Sequence, residues 1–538
     1  MRTWERALLL LLAAGGAARA DELSGADKLR VLYSSQFAWT RQGLPLVTVR
    51  IAEGLKEVRV RGALRVLPDG EMGAEVSGGQ DWTVRLVGES EPARQRYHVM
   101  VARAPVAEAD RLQEEANIWR QRGFQPRMLE VGAVFGIRGE VIDMRHLLLT
   151  VAPQADEAAA RQKAQELSER YQVAASVHLE PMARPQGVVQ ARDERGTLVR
   201  NSGVLWFAPL EGTLRVDPPG RSYWGQIYVA LDRSGALAVV NAVPEDRLLM
   251  GLLPAEMSPQ APLEALKAQA VAARNQLLAK IGIRHMGDPY RLCADTHCQV
   301  YAGAGQERPR TTQAVEQTRG ELLVAGPAAA ETLVDTVYSA SCGGHTEDND
   351  LAWGTRPDPM LRGRLDLPAA EVGRLTRFAG RIGEAEVGDF LRWDAQPRPL
   401  CARTRSGQAY YRWTVRVKAE TILERAGPGL GSLRDVSVLQ RGVSGRAVLL
   451  RLQGSTGSRQ VQGELEIRRV LGGLRSALFV LLPQRRGQDV EAIEVQGGGF
   501  GHGVGLCQQG AMALAEEGRT YREILEHYYP GGRLRRLY

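Results

Sequence analysis

The sequence has few cysteines and, beyond its first 20 residues, no long apolar run. Its five cysteines are an odd number, so they cannot all pair in disulfides within the chain. The lack of an apolar stretch long enough to span a bilayer argues against membrane-crossing helices. The formal net charge is +7, but the basic residues are dispersed, which argues against a nucleic-acid-binding domain. What is present is the composition of a globular protein with room for about two to four domains.

The first 20 residues resemble a secretory signal peptide. Arg2 and Arg6 precede an apolar run over residues 7–14, and residues 18–20 read A-R-A, which fits an A-x-A cleavage site. We therefore predict that residues 1–20 are removed on export and that the mature protein lies in the periplasm, the cell wall or the extracellular space. A mildly basic exported protein would be attracted to anionic wall polymers or to membrane surfaces.

The pattern of apolar residues predicts an α+β fold with a β-rich core and a few long helices. Residues 28–92 carry short β-branched runs separated by glycine-containing turns, which predicts an N-terminal β domain. Residues 95–183 contain a strand–helix–strand pattern twice, which predicts a ferredoxin-like βαββαβ unit. Residues 187–538 form the predicted core domain. The apolar stripes expected to bury the two helices of the repeat are Leu112, Ala116 and Trp119, and Ala159, Ala164 and Leu167.

The repeat over residues 95–183 resembles a SPOR domain. That resemblance implies that the repeat binds glycan strands from which the peptides have been removed. The alternative is an unrelated ferredoxin-like insertion that has the same order of strands and helices.

A long amphipathic helix is predicted between Pro262 and Gly282. Proline suits the first helical position, glycine ends the pattern, and apolar residues recur between them at three- and four-residue steps. Glu256 lies before this helix and directly follows the apolar residues 252–255. A carboxyl group among apolar residues has a raised pKa, because its charged form is disfavoured, and it could act as a general acid near neutral pH. The alternative is a glutamate that caps a helix or pairs with Lys267.

A group of cysteines and histidines follows the helix. Cys293, His297 and Cys298 lie within six residues, and His285 precedes them by eight positions. Two thiolates and two imidazoles can hold one tetrahedral zinc ion, and four protein ligands would make that zinc structural. In an oxidising compartment, a short-loop disulfide between Cys293 and Cys298 is the competing interpretation. Free thiols are the third.

A glycine pair near residue 343 follows a predicted strand and carries several polar side chains. The turn places Ser341, His345 and Glu347 within seven residues. Polar groups on a turn at the end of a strand are common in functional sites, and they are also common in ordinary turns.

A second glycine-rich loop spans residues 497–505 and contains Phe500 and His502. It lacks the lysine of a phosphate-binding P-loop, and its glycine spacing is not that of a dinucleotide-binding fold. So many glycines allow the backbone to approach another surface closely. A disulfide between Cys507 and Cys342 would tie this loop to the turn near residue 343.

Five short stretches together resemble the stage II sporulation protein D (SpoIID)/LytB amidase-enhancer family. The stretches read LLPAEMSP, LEALKAQAVAAR, SASCGGHTE, GGGFGHGVGLCQQGAMALAEEG and YREILEHYYPG, and the match spans roughly residues 200–532. The resemblance implies a lytic transglycosylase that cuts the glycan strands of peptidoglycan after the stem peptides have been removed. Family members of the amidase-enhancer type imply instead a non-catalytic protein that binds glycan and stimulates an N-acetylmuramoyl-L-alanine amidase.

The resemblance also implies roles for individual residues. The family's catalytic glutamate maps onto Glu256, and Arg274 matches an arginine linked to activity. Some members bind zinc near the site, and the Cys/His group described above is the nearest counterpart in this chain, at a somewhat different spacing. The residues expected to line the sugar groove are Ser341, His345, Glu347, His502 and Gln508.

This chemistry requires one carboxyl group. Hydrolysis of a glycosidic bond normally uses a pair of carboxyl groups and a water molecule. In a lytic transglycosylase the 6-hydroxyl of the sugar attacks C1 and closes a 1,6-anhydro ring. Glu256 would protonate the glycosidic oxygen and then, as a carboxylate, remove the hydroxyl proton. The prediction is therefore an enzyme whose one suggested cofactor is a structural zinc ion.

Overall fold

A computed structural model describes residues 38–40, 43–68, 76–77, 79–137, 140–295, 298–327, 331–373, 378 and 380–538. The chain divides into two units. Unit 1 contains the chain up to residue 256, residues 280–308 and residues 537–538, and unit 2 contains residues 257–279 and 309–536. Each unit combines helices with sheets, so the predicted α+β class is confirmed. The predicted signal peptide lies outside the described residues. Within the described part of the chain, no helix is long and apolar enough to cross a membrane.

The strands of unit 1 are short to medium in length, and three α-helices accompany them among the described residues. In chain order the strands are β1 (Ala38–Trp39), β2 (Pro45–Leu55), β3 (Glu57–Arg61), β4 (Leu64–Pro68), β5 (Val76–Ser77), β6 (Asp81–Glu91), β7 (Arg94–Pro105), β8 (Arg127–Val131), β9 (Val134–Ile137), β10 (Glu140–Asp143), β11 (His146–Gln154), β12 (Ser176–Ala183), β13 (Gln186–Asp193), β14 (Leu198–Ser202), β15 (Val204–Pro209), β16 (Leu214–Asp217), β17 (Arg221–Tyr223), β18 (Gln226–Leu231), β19 (Leu237–Pro244) and β20 (Leu292–Cys293). The helices are α1 (Ala109–Gln121), α2 (Glu157–Tyr171) and α3 (Glu245–Glu256).

Two sheets of unit 1 join strands that are far apart in sequence. The larger has the order β1-β2-β19-β18-β15-β4-β5, with β20 parallel to β2, and the other has the order β14-β13-β6-β3-β16-β17. Strand β2 pairs with β19, and β6 pairs with β13. Strands of the predicted N-terminal domain (28–92) thus share sheets with strands from the start of the predicted core domain (187–538). The units therefore do not follow the predicted domain ranges.

The βαββαβ unit forms as the repeat predicts. Its four strands pair antiparallel in the order β12-β7-β11-β8, and the hairpin β9–β10 is inserted between β8 and β11. In α1 the predicted apolar stripe is buried. In α2 the buried residue at the start of the stripe is Ala160, while Ala159 is half-buried. Asp156 caps this helix by accepting a hydrogen bond from the backbone N–H of Ala159 at 2.8 Å.

Unit 2 contains more helices. Its strands are β21 (Glu321–Ala325), β22 (Thr332–Leu333), β23 (Tyr338–Ser339), β24 (Arg412–Lys418), β25 (Leu433–Arg441), β26 (Ala447–Gly454), β27 (Ser458–Gln462), β28 (Phe479–Arg486), β29 (Asp489–Gly498), β30 (Leu506–Cys507) and β31 (Arg533–Arg536). Its helices are α4 (Leu263–Ala279), α5 (Pro309–Gln317), α6 (Asn349–Trp353), α7 (Ala369–Val372), α8 (Glu384–Leu391), α9 (Arg405–Tyr411), α10 (Ala419–Ala426), α11 (Glu464–Val470), α12 (Gln508–Glu516) and α13 (Tyr521–Tyr528). The sheets have the orders β22-β21-β31, β24-β29-β28 and β25-β26-β27, and β23 pairs parallel with β30.

Helix α4 is the predicted amphipathic helix, and it begins at Leu263 and ends at Ala279. It is buried on nearly all of its faces because it packs on α5, α12, α13 and β21. Its many alanines allow this close packing on several sides. Three of its polar residues, Gln269, Arg274 and Asn275, are also fully buried, so each needs hydrogen-bond partners inside the protein.

Candidate functional site

Glu256 is the last residue of α3 and, as the sequence indicates, precedes the long helix α4. The body of α3 is buried, with Leu252 and Leu253 at 1% and 0% exposure, whereas Glu256 is half-buried. The partial negative charge at the C-terminal end of a helix disfavours a nearby carboxylate relative to the neutral acid. Glu256 therefore lies next to buried apolar residues and is also accessible to solvent. A general acid requires both.

Arg274 lies in the interior of unit 2. Its side chain is fully buried, and its Nη1 donates hydrogen bonds to the backbone carbonyls of Thr318 at 2.8 Å and Glu321 at 3.3 Å. The neighbouring Asn275 accepts a hydrogen bond from the backbone N–H of Leu323 at 2.8 Å. These two side chains fasten α4 to Thr318, which follows α5, and to strand β21. The role in catalysis that the family resemblance implies for Arg274 stays a prediction.

The turn after β23 has a different role from the one predicted for it. The side chains of Ser341, His345 and Glu347 are 0%, 1% and 1% exposed, so they offer no surface to a sugar. The backbone of Ser341 exchanges hydrogen bonds with Phe500, at 3.1 and 2.8 Å. His345 Nδ1 lies 2.6 Å from the carbonyl oxygen of Thr346, and burial lowers the pKa of His345 to about 4. These buried side chains therefore stabilise the conformation of the turn.

Glu347 fixes the turn to the segment between β25 and β26. Its carboxylate accepts hydrogen bonds from the Ser444 hydroxyl at 2.6 Å and from the backbone N–H groups of Val443 and Asp348 at 2.9 Å. Burial raises the pKa of Glu347, and the hydrogen bond from Ser444 together with the nearby charge of Arg446 opposes that shift. Ser341, His345 and Glu347 therefore do not line a sugar groove, contrary to the prediction. The sequence of a polar turn looks the same whether the turn is exposed or buried.

The glycine-rich loop approaches another surface closely, as predicted, and that surface is the turn near residue 343. Gly499 and Gly503 have φ values of +79° and +78°, in the region that favours glycine. A Cβ at Gly499 would lie 2.7 Å from the carbonyl oxygen of Ser341, and one at Gly503 would overlap the guanidinium of Arg446. The glycines therefore serve packing within the chain.

Aromatic side chains flank this loop at the surface. The ring of His502 lies 5.0 Å from that of Trp353, and the ring of Phe500 lies 5.6 Å from that of Tyr410. Trp353 is 43% exposed and Phe500 is 38% exposed. His502 Nδ1 accepts a hydrogen bond from the backbone N–H of Val504 at 3.0 Å, which orients the imidazole. Sequence reasoning missed Trp353 and Tyr410 because single aromatic residues carry no spacing pattern.

Gln508 is nearly buried at the start of α12. Its Nε2 lies 3.4 Å from Gln269 Oε1 on α4, so the side chain joins two helices of unit 2. The disulfide between Cys342 and Cys507 is not formed. Both are free thiols, and the backbone N–H of Cys342 donates to Cys507 Sγ at 3.2 Å.

The predicted Cys/His group comes together in unit 1. The Sγ atoms of Cys293 and Cys298 lie 2.9 Å apart, and His285 Nε2 lies 3.2 Å from Cys298 Sγ. Ligand atoms of these three residues all lie within 4.8 Å of one another, which suits one metal ion. His297 lies outside the described residues.

Hydrogen bonds shift the ionisation of this group. The bond from Cys293 lowers the pKa of Cys298 to about 3, although burial acts in the opposite direction. The same contact and burial raise the pKa of Cys293. Burial lowers the pKa of His285, but the hydrogen bonds to Asp288 and Cys298 outweigh it, so the net shift is upward. These contacts thus favour the thiolate form of Cys298.

Comparison with known proteins finds a matching domain family and several relatives. Residues 233–324 match the model of the stage II sporulation protein family, and residues 347–505 match a domain of unknown function. The amidase enhancer of Bacillus subtilis (strain 168) is 29% identical over 53% of this chain and 39% of its own length. An uncharacterised protein of Brachyspira hyodysenteriae is 28% identical over 58% of this chain and 72% of its own length. Stage II sporulation protein D of Bacillus amyloliquefaciens is 26% identical over 54% of this chain and 74% of its own length.

These matches confirm the resemblance that the sequence motifs indicated. The chain carries a match to the SpoIID family over residues 233–324, and its relatives include an amidase enhancer and two stage II sporulation proteins D. It spans about two fifths of the length of the amidase enhancer and about three quarters of the length of stage II sporulation protein D.

Proposed function

We propose that the protein is an exported bacterial wall protein that cleaves the glycan strands of peptidoglycan, with peptide-stripped strands as the substrate. In this proposal it is a lytic transglycosylase and Glu256 is its acid and base. The observation that carries the proposal is the position of Glu256, half-buried at the C-terminal end of α3 and inside the segment that matches the family model. A carboxyl group there can donate a proton as the neutral acid and accept one as the carboxylate.

One carboxyl group is enough for this reaction. Glu256 protonates the glycosidic oxygen as the bond to C1 breaks, and the resulting carboxylate takes the proton of the 6-hydroxyl as that oxygen bonds to C1. The proton balance closes on Glu256 itself, so no water is consumed. Each transfer by a positioned group contributes roughly 10²–10⁴-fold to the rate.

Two features of the chain support a glycan ligand. Each of the aromatic pairs Trp353–His502 and Tyr410–Phe500 joins an exposed ring, Trp353 or Phe500, to a half-buried one. They offer apolar rings beside polar groups, which is a common composition for a site that binds a small amphipathic ligand. The βαββαβ unit has the element order expected of a SPOR domain. In our proposal this unit binds peptide-stripped glycan, and two glycan-binding parts on one chain raise its avidity.

We also propose that the Cys/His group holds a structural zinc ion. Cys293, Cys298 and His285 lie close enough to share one ion, and His297 is the proposed fourth ligand. The donor set of two thiolates and two imidazoles fits zinc and leaves no open position for chemistry. The zinc would join the ends of the segment between residues 285 and 298.

The second candidate function is that of a non-catalytic enhancer or recruiter of a wall amidase. The relative named amidase enhancer favours it, because its 29% identity covers about half of this chain. In this case the glycan-binding surfaces would carry the function and Glu256 would be dispensable for it.

The test is mass spectrometry of the products released from peptide-stripped glycan strands. Wild-type protein is compared with Glu256→Gln and with Glu316→Gln, a matched change at an exposed glutamate of α5. We expect 1,6-anhydro products from the wild type and from Glu316→Gln, and none from Glu256→Gln. Products that carry a reducing end from added water would indicate a hydrolase instead. If no protein releases products and a purified wall amidase becomes faster in its presence, the enhancer function replaces the enzyme.

A further inference from the structure

Three cysteines and one aspartate meet in the core of unit 2. Cys342 Sγ lies 3.8 Å from Cys401 Sγ and 3.0 Å from Asp366 Oδ2. The ligand atoms of these residues and of Cys507 all lie within 4.8 Å of one another, and all four side chains are fully buried. We propose that these four residues form a metal site, separate from the Cys/His group, that holds one divalent ion of the zinc type in a closed tetrahedral centre.

The spacing suits a single ion. Two thiolates bound to one zinc at about 2.3 Å, at the tetrahedral angle, place their sulfurs about 3.8 Å apart. This is the distance between Cys342 and Cys401. A disulfide between any two of the three thiols would leave the third without a partner in an apolar core. Three sulfurs and one carboxylate oxygen form a donor set that zinc accepts, and four protein ligands make the site structural.

The buried aspartate is oriented as a ligating carboxylate is. A carboxylate in an apolar core is costly unless it is paired. Asp366 Oδ1 accepts a hydrogen bond from the Tyr528 hydroxyl at 3.0 Å and lies 3.3 Å from His527 Nε2. Its other oxygen faces Cys342. A ligating carboxylate that is oriented by hydrogen bonds on one oxygen and binds through the other is typical of metal sites.

Backbone N–H groups point at two of the sulfurs. Cys507 Sγ accepts from the N–H of Cys342 at 3.2 Å and from that of Gly510 at 3.4 Å, and Cys342 Sγ accepts from the N–H of Gly344 at 3.4 Å. Cys507 is also the N-cap residue of α12, where the helix dipole favours a negative charge. These contacts favour thiolates, and the thiolate is the form of cysteine that binds metal.

The four residues come from four separate segments. Cys342 follows β23, Asp366 precedes α7, Cys401 lies in a short 3₁₀ helix (Leu400–Ala402), and Cys507 ends β30. An ion at this point would fasten all four segments, so its binding energy would add to the stability of unit 2. The thiols are 0% exposed, which argues against a role in exchange with a partner thiol.

The test measures the metal content of a protein that lacks the Cys/His group. The variant Cys293→Ser/Cys298→Ser is purified without chelator or added metal and is analysed by elemental mass spectrometry and by X-ray absorption at the zinc edge. We expect one equivalent of Zn²⁺, with three sulfur ligands at about 2.3 Å and one oxygen ligand at about 2.0 Å. Adding Cys401→Ser should reduce the zinc content at least tenfold and lower Tm. The double variant is the matched control, because it makes the same substitution at two cysteines outside the site.

Two results would overturn the proposal. The first is a folded double variant that holds no zinc after purification and after dialysis against Zn²⁺. The second is a disulfide among Cys342, Cys401 and Cys507, detected by peptide mapping without reduction. If Cys401→Ser does not fold, Asp366→Asn takes its place, since it keeps the volume of the side chain. It should release Zn²⁺ to a chelator faster than the double variant does, and an unchanged rate would rule out the carboxylate as a ligand. Neither readout depends on glycan cleavage, so the result is independent of the proposed function.

Discussion

Arg446 Nη2 donates a hydrogen bond to the backbone carbonyl of Cys342 at 2.8 Å. The Nη1 of the same side chain donates to the carbonyl of His345 at 3.1 Å, and the guanidinium lies against the backbone of Gly503. With 1% of its surface exposed, Arg446 is a buried cation whose two Nη groups donate to two backbone carbonyls and to the Ser444 hydroxyl. A single side chain thus positions both the turn near residue 343 and the glycine-rich loop.

The first prediction concerns the space at Gly503. Gly503→Ala should lower the free energy of unfolding by about 3 kcal/mol, because it combines a positive φ with overlap of a buried side chain. Gly518→Ala is the control: its φ is +85°, but no atom lies within 4 Å of the added Cβ, so it should cost only about 1 kcal/mol. Urea unfolding monitored by tryptophan fluorescence gives both values. Equal losses would contradict the packing explanation.

The second prediction concerns the stability of the protein at low pH. Burial lowers the pKa of His345 to about 4, from an ordinary value of 6.5. Because the folded pKa is the lower one, the neutral imidazole contributes stability that is complete above pH 6.5 and is lost as the pH falls toward 4. The difference corresponds to about 3 kcal/mol. His345→Asn should therefore flatten the plot of Tm against pH between 6.5 and 4, and an unchanged slope would show that the acid sensitivity arises elsewhere.

The elements that could be predicted correctly are those determined by patterns among residues close together in the sequence. The βαββαβ unit follows from periodicities within about 90 residues, and the helix over residues 263–279 follows from its own apolar spacing. The sheets of unit 1 could not be predicted in this way. Strand β2 pairs with β19, which lies about 190 residues further along the chain, and no local pattern records which distant strand is the partner.

The same distinction holds for the site residues. The glycine-rich loop could be recognised from its composition, and the Cys/His group from its short spacing. Cys401 and Asp366 could not, because they join Cys342 and Cys507 through folding and share no spacing with them. The burial of Glu347 was missed for another reason: its partners at residues 443 and 444 lie in a segment whose sequence indicates only a turn.

The third prediction separates two roles of Arg274. Arg274→Lys should lower the free energy of unfolding by about 3 kcal/mol, because lysine cannot reach the carbonyls of both Thr318 and Glu321 in the same geometry. Arg319→Lys, at an exposed position of the same region, should stay within about 0.5 kcal/mol of the wild type. Glycan cleavage is then measured at a temperature where every variant is folded. Full activity of folded Arg274→Lys would assign the residue a structural role, and a loss of activity without unfolding would support a role in catalysis.

The fourth prediction concerns the exposed aromatic side chains. Trp353→Ala and Phe500→Ala should each weaken binding to peptide-stripped glycan strands about tenfold, which corresponds to about 1.4 kcal/mol. Neither change should alter Tm by more than a few degrees, because both rings are more than one third exposed and little buried area is lost. Binding is measured by co-sedimentation with insoluble glycan and by titration with soluble strands.

The control for this prediction removes an apolar side chain that is even more exposed, elsewhere in unit 2. Leu465 on α11 is 72% exposed, so Leu465→Ala tests whether any loss of surface hydrophobicity weakens the binding. If Leu465→Ala binds as the wild type does and the two aromatic variants do not, the surface that Trp353 and Phe500 share with His502 and Tyr410 is where unit 2 contacts glycan. Equal binding by all three variants would leave the βαββαβ unit as the glycan-binding part of the chain. A deletion of residues 95–183 would then be expected to abolish the binding that the point variants retain.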